Sequence, residues 1–198
     1  TWDTANTDIA QVGLVRQNKP MIFDGSDDVV TLDSATTYNV TGGTASFSFW
    51  AKIEDTSTSN IVLGYNSYIM SFVNLNSNGN MYFETNTNAD LASAPITHDT
   101  KWHHYVITCN SGTVAMYQDG SSLSMGDSSI TDDVTFQTIS YGSGKQFDGL
   151  INEVAIWDVA LDADAVTALY NSGTPLDATT DSGNYDNSGD LQGYWRND

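Results

Sequence analysis

The chain has 198 residues, with 25 acidic against 6 basic side chains, a formal charge of −19 and an isoelectric point near 4.1. So acidic a surface excludes a nucleic-acid partner, because nothing neutralises a row of phosphates, and it disfavours anionic membrane surfaces unless divalent cations intervene. Apolar residues at 39% and aromatics at 11% suffice to close a core, and no run of about 18 apolar residues offers a membrane-inserting helix.

Alternation of apolar and polar residues predicts β-structure almost throughout. Residues 21–23 and 29–32 read as short strands. Over residues 44–54, Ala45, Phe47, Phe49, Ala51 and Ile53 alternate with Ser46, Ser48, Trp50, Lys52 and Glu54, the period of a strand with one buried face. Trp50 falls in phase with the polar set, so the second face is expected to be covered there by a loop or helix. Residues 61–64 follow. Residues 69–75 and 80–85 flank Ser77-Asn78-Gly79 and read as a hairpin. Residues 103–109, 113–118 and 121–125, separated by Ser111-Gly112 and Asp119-Gly120, form a meander. The single cysteine, Cys109, lies in its first strand and is expected to be buried and unpaired. A strand over residues 136–141 precedes one over 150–157, which is apolar on both faces like a central strand covered on both sides.

One helix breaks the pattern. Asp162 can cap it, Asp164 sits in its positive first turn, and Val166, Leu169 and Tyr170 make one apolar stripe. Gly173 and Pro175 supply the expected stop. The Ser/Thr/Asn/Asp/Gly stretch over residues 177–190 reads as a loop. It leads to Leu191, Tyr194 and Trp195, a strand expected to return to the body. Roughly a dozen short strands with one late helix predict an all-β fold of two packed antiparallel sheets.

Several phrases stand in a recognisable order: Phe23-Asp24-Gly25-Ser26-Asp27-Asp28-Val29, Ala45-Ser46-Phe47-Ser48-Phe49-Trp50-Ala51-Lys52, Trp102-His103-His104-Tyr105-Val106, Met116-Tyr117-Gln118-Asp119-Gly120, Phe147-Asp148-Gly149-Leu150-Ile151-Asn152-Glu153-Val154 and Trp157-Asp158-Val159-Ala160-Leu161. The series resembles the laminin-G-like branch of the concanavalin A-like lectin/glucanase superfamily, over about residues 20–173. The helix with Leu169-Tyr170-Asn171-Ser172-Gly173 and the closing Gly193-Tyr194-Trp195 strand resemble units of long marine bacterial and phage structural proteins. The resemblance implies one domain over residues 1–198, a two-sheet antiparallel jelly-roll sandwich with one short helix near the C-terminus. Residues 174–198 supply a loop and the closing strand. It also implies a calcium ion, and binding rather than cleavage. Asn152 stands where the family often has aspartate, and the disulfide of extracellular animal members is absent.

Only Glu54, Glu84 and Glu153 are glutamates, against 22 aspartates. Aspartate favours turns and caps and is a hard ligand for calcium. Asp24, Asp27 and Asp28 crowd around Gly25, and a hard cation would relieve their repulsion. In the resembling domains the terminal strands approach each other, which would add the Asp148-Gly149 segment and Asn152. The expected site is therefore structural Ca2+ held by some of Asp24, Asp27, Asp28, Asp148 and Asn152. Asn184 to Asp190 imitates half of an EF-hand loop, but Trp195 stands where the closing Glu belongs. Asp127, Asp132 and Asp133 are a further ambiguous acidic group. Adjacent His103 and His104 point to opposite faces of a strand and cannot readily chelate one ion.

Catalysis is not expected. Acid and nucleophile of a glycosidase share a face, whereas Glu153 and Asp158 lie at an odd spacing. Sugar binding needs aromatic faces with amide or carboxylate groups beside them. Tyr65, Asn66, Tyr68, Tyr82 and Tyr141 are the candidates, with Trp102 and Tyr117 of the same type. The expected role is a non-catalytic adhesion module binding a glycan or cell-surface polysaccharide, outside the cell or on a virion. The competing expectation is a structural domain whose partners are other virion or surface protein subunits.

Overall fold

The computed structural model describes residues 19–65, 71–85, 91–140 and 146–196. Among these, two antiparallel sheets face each other. One has six strands in the order β2 (Val30–Tyr38), β11 (Val134–Ile139), β4 (Asn60–Gly64), β5 (Ser71–Asn76), β6 (Asn80–Glu84) and β7 (Leu91–Pro95). The other runs β1 (Met21–Asp24), β12 (Asp148–Trp157), β3 (Thr44–Ile53), β8 (Trp102–Asn110), β9 (Thr113–Gln118) and β10 (Ser121–Ser122). The seventh strand of this sheet, β13 (Leu191–Trp195), pairs with Val154–Trp157 of β12, while β1 pairs with Asp148–Ile151. The two short strands thus share one edge of β12, and the last strand does return to the sandwich.

The main core lies between the sheets. Phe47, Phe49, Tyr105, Ile151 and Ile156 from one meet Val73, Leu75, Met81, Phe83 and Phe136 from the other. The rings of Phe47 and Phe83 lie 5.8 Å apart, and those of Phe49 and Tyr105 stack at 5.3 Å. Full burial of each such side chain contributes about 1.5–3 kcal/mol. Cys109 is buried in the same core, where desolvation pushes its thiol pKa up.

A second, smaller core covers the outer face of the seven-stranded sheet. Here Val106, Ala155 and Trp157 pack against Ala165, Val166 and Leu169 of helix α1 (Ala163–Tyr170), joined by Ala178 and Tyr185 from the tail. Asp162 caps the helix as expected, accepting from the Ala165 amide at 2.8 Å. The stop comes earlier than Gly173. Asn171 and Ser172 already adopt left-handed φ of 44° and 55°, a conformation asparagine tolerates at a helix end. Trp50 lies under this cover, as its phase implies, with its ring stacked on His104 at 5.1 Å and on Tyr170 at 5.8 Å.

Four features depart from the predicted strands. The strand expected over residues 29–32 runs on to Tyr38. β7 was not expected, since Ala92-Ser93-Ala94 gives little apolar contrast; it pairs along β6. The strand expected over residues 121–125 is only two residues long. The register of β12 against β3 shifts between Asn152 and Ala155, and Glu153 within that bulge has φ of 51°.

The tail is pinned through a buried tyrosine. Trp157 Nε1 donates to Tyr185 Oη at 2.9 Å, and Tyr185 Oη donates to the Ala178 carbonyl at 2.6 Å. Tyr185→Phe leaves both partners unsatisfied in an apolar site. It should lower unfolding free energy by about 1–3 kcal/mol in urea titrations, with an unchanged far-ultraviolet spectrum.

Candidate functional site

The sequence-predicted acids gather where β1 meets β12. Antiparallel pairing sets Asp24 opposite Asp148. The chain then turns through Gly25, whose φ is +74° and where a Cβ would come within 3.0 Å of the Asp148 Cβ. Asp24 Oδ1 accepts from the Ser26 amide at 2.9 Å, and Asp28 Oδ2 accepts from the Asp24 amide at 3.1 Å. The bend thereby brings carboxylate oxygens of Asp24, Asp27 and Asp28 within 4.8 Å of one another, all three residues being exposed. Calcium takes oxygen ligands at about 2.4 Å, so ligands on opposite sides of one ion would span about that separation. The donor set fits a hard cation.

Beside the bend lies a cavity of about 140 Å³ lined by Asp24, Gly25, Asp55, Thr58, Ser59, Gln146 and Asp148. The Asp148 amide donates to Asn60 Oδ1 at 2.9 Å, which holds this corner shut. Partial burial, then the charges of Asp55, Glu54 and Asp24, raise the Asp148 pKa. This is the crowding that a cation would relieve.

Asn152 does not join this group. It lies four positions along β12 from Asp148, opposite Trp50, which at the strand rise is about 13 Å away. The other ambiguous acids are spent on loop hydrogen bonds, within their own loop or across to another. Asp133 Oδ1 accepts from the Val40 and Thr41 amides and from Thr41 Oγ1. Asp127 caps Ser129, and Asp190 accepts from Asn187 Nδ2.

The aromatic candidates are spread apart. Tyr82 pairs with Asn74 and Ser93 in the six-stranded sheet, and its hydroxyl accepts from Asn78 Nδ2 at 2.7 Å. Tyr65 follows the far end of β4, away from the Asn60 end that touches Asp148. Asn66, Tyr68 and Tyr141 lie outside the described residues. A groove absent from the sequence reading lies on the outer face of the seven-stranded sheet. It has a volume of about 390 Å³ and is lined by Pro20, Trp50, Trp102, Leu150, Asn152, Gly173 and Pro175. Strand register and the packing of the segment after α1 join these residues, so no local pattern could have found it.

The histidines part as predicted. His103 is held between Asp119 Oδ2 at 2.6 Å and Asp99 Oδ1 at 3.1 Å. His104 faces the second core, with Nε2 2.8 Å from Ser48 Oγ. That spacing suits a nucleophile and its base, but Ser48 is 3% exposed and His104 2%, beneath the Trp50 and Tyr170 rings. The pair is sealed from substrate.

The sequence matches a laminin-G family of the concanavalin A-like lectin/glucanases superfamily over residues 24–167. The chain belongs to this superfamily, in its laminin-G-like branch. No curated protein sequence matches it. Among solved structures, the fold is similar to a heptameric SAP-like pentraxin from Limulus polyphemus (TM-score 0.52, 13% identity, 72% of this chain and 80% of that one). It is also similar to domain 4 of AbnA, an extracellular arabinanase from Geobacillus stearothermophilus, in complex with arabinotriose (0.53, 19%, 78% and 78%). A third is the binding domain of botulinum neurotoxin serotype D (0.56, 20%, 79% and 45%), of which the chain spans under half the length.

Burial holds the His104 pKa down to about 3 from the ordinary 6.5. Above pH 6.5 both folded and unfolded forms carry a neutral ring. Below it the unfolded chain takes up the proton first, so stability falls as pH drops from about 6.5 toward 3, by up to about 1.4 kcal/mol per pH unit. Denaturation series across that window should show the slope in the wild type and a shallower one in His104→Gln.

Proposed function

We propose that the chain is a non-catalytic carbohydrate-binding module, stabilised by calcium, that serves adhesion outside the cell or on a virion surface. Membership of a lectin superfamily supports the ligand class, as does the fold shared with an arabinotriose-bound domain and a toxin binding domain. The observation that carries the reading is the acidic bend built into this lectin sandwich at the β1–β12 junction. Asp24, Asp27 and Asp28, with Asp148 beside them, would hold the ion. Its two positive charges would offset part of the negative charge of the corner and tie the first strand to the central one. The sealed Ser48–His104 pair and a Glu153 only 6% exposed support binding without cleavage.

A glycan array probed with calcium and with chelator tests the ligand class. Binding to at least one saccharide is expected; a blank array in both conditions rejects the reading. Thermal melts test the ion separately. Saturation at about 100 times Kd stabilises by about 2.7 kcal/mol, which raises Tm by about 5–10 °C in a domain of this size. Asp24→Asn and Asp28→Asn keep the acceptors that the loop amides use but remove charge, so both should lose the calcium-dependent rise. A wild-type Tm indifferent to chelator rules out a stabilising site.

A further inference from the structure

We infer that the groove on the outer face of the seven-stranded sheet is a subsite for a neutral saccharide, with Trp102 as its stacking platform; this assignment rests on the carbohydrate-binding reading. Pairing sets Ile22, Leu150, Lys52 and Trp102 in one row across four strands. The next row holds Asn152, Trp50 and His104. Trp102 is 39% exposed and Ile22 73%, while Trp50, Trp157 and Tyr185 on the same face are buried. Trp50 is 5% exposed and clamped by its neighbours, so it forms a fixed wall. Pro20 enters from before β1, while Gly173 and Pro175 close the other side from the segment after α1.

The groove is built mostly from paired strands and prolines. Its floor is sheet, and two of its walls are prolines, so little conformational freedom is lost on binding. A volume of about 390 Å³ lies in the lower part of the range for small-ligand pockets.

The chemistry selects a sugar. A pyranose or furanose ring has apolar C–H faces and a polar rim. Trp102 and Leu150 answer the faces, and the Lys52 ammonium between them in the same row, with three donors, answers hydroxyls, while the buried Asn152 closes the floor. Lys52 reaches Glu54 at 3.5 Å in the same region. A greasy partner would strip water from these polar groups and return no hydrogen bond. Charge narrows the class further. Asp24 and Asp148 make the row beyond Ile22 and Leu150, and Glu54 adds to it. Sialylated or sulfated sugars would meet that negative field, whereas neutral ones would not.

The test is titration of the full chain with arabinotriose, lactose and cellobiose, and with sialyllactose as the anionic probe, followed by tryptophan fluorescence and indole N–H resonances. A neutral sugar is expected to bind more tightly than sialyllactose. Trp102→Ala should weaken the best binder about tenfold or more, Trp102→Phe should recover most of it, and Tyr82→Ala on the opposite sheet should change nothing. Melting curves of all three variants establish that they are folded. Loss in Tyr82→Ala with Trp102→Ala unaffected overturns the groove while leaving the carbohydrate reading intact. A preference for sialyllactose overturns the neutral class. A wild-type dimer that Trp102→Ala converts to monomer assigns this face to protein contact instead. If none of these sugars binds and the glycan array is blank, the carbohydrate reading itself falls, and the subsite with it.

Discussion

β12 must be buried on both faces at once, and the rest of the structure follows from how that is achieved. Its inner side chains, Ile151, Val154 and Ile156, belong to the inter-sheet core, and its outer ones, Ala155 and Trp157, to the core under α1. A strand apolar on both sides is unstable in a simple two-layer sandwich unless something covers the second layer. The helix and the Tyr185 tail supply that cover. At the other end of the strand, Gly149 has φ of +141°. A Cβ there would collide with the Lys52 carbonyl, so only glycine lets β12 approach β3 closely enough to bring Asp148 beside Glu54 and Asp24. One strand therefore sets the helix packing, the acidic corner and the floor of the groove.

The abundance of aspartate over glutamate has two different causes, and electrostatics separates them. Asp55, Asp99, Asp127 and Asp181 accept hydrogen bonds from Ser57, Lys101, Ser129 and Ser188 respectively, and those bonds lower their pKa values. Aspartate reaches such amides where glutamate is too long, so these acids act as loop fasteners. Asp148 shifts the opposite way, raised by partial burial and by three neighbouring acids. It marks the one corner, among the described residues, where carboxylates are packed against each other and not merely spent on turns.

Much of the sandwich was legible in the sequence because strand alternation and helix capping are local. The phase of Trp50 announced cover over the second face, and Asp162 announced the start of α1. Register is not local, and there the reading stops. Asn152 could be grouped with Asp148 only until the strand's extension separated them. Trp102, Lys52, Leu150 and Ile22 come from four strands with no shared motif, and only pairing aligns them. The bulge at Glu153 is a further non-local choice. It adds one residue to β12 opposite β3, so Val154 points to the inter-sheet core while Ala155 returns to the outer face that Asn152 already lines.

The acidic bend and the groove are mechanically joined through β1. This strand has four residues, and within the seven-stranded sheet it pairs only with β12. Asp24 ends it at the bend, Ile22 lies in the exposed row, and Pro20 precedes it in the groove wall. So short an edge strand frays easily, since it shares few backbone hydrogen bonds and little apolar burial. Fastening its Asp24 end holds the remaining residues in register. An ion at the bend would thus steady the groove without touching a ligand, by keeping Pro20 and Ile22 against Leu150. In the proposed complex, the carboxylates nearest the groove would act on a sugar through strand geometry first and through charge second.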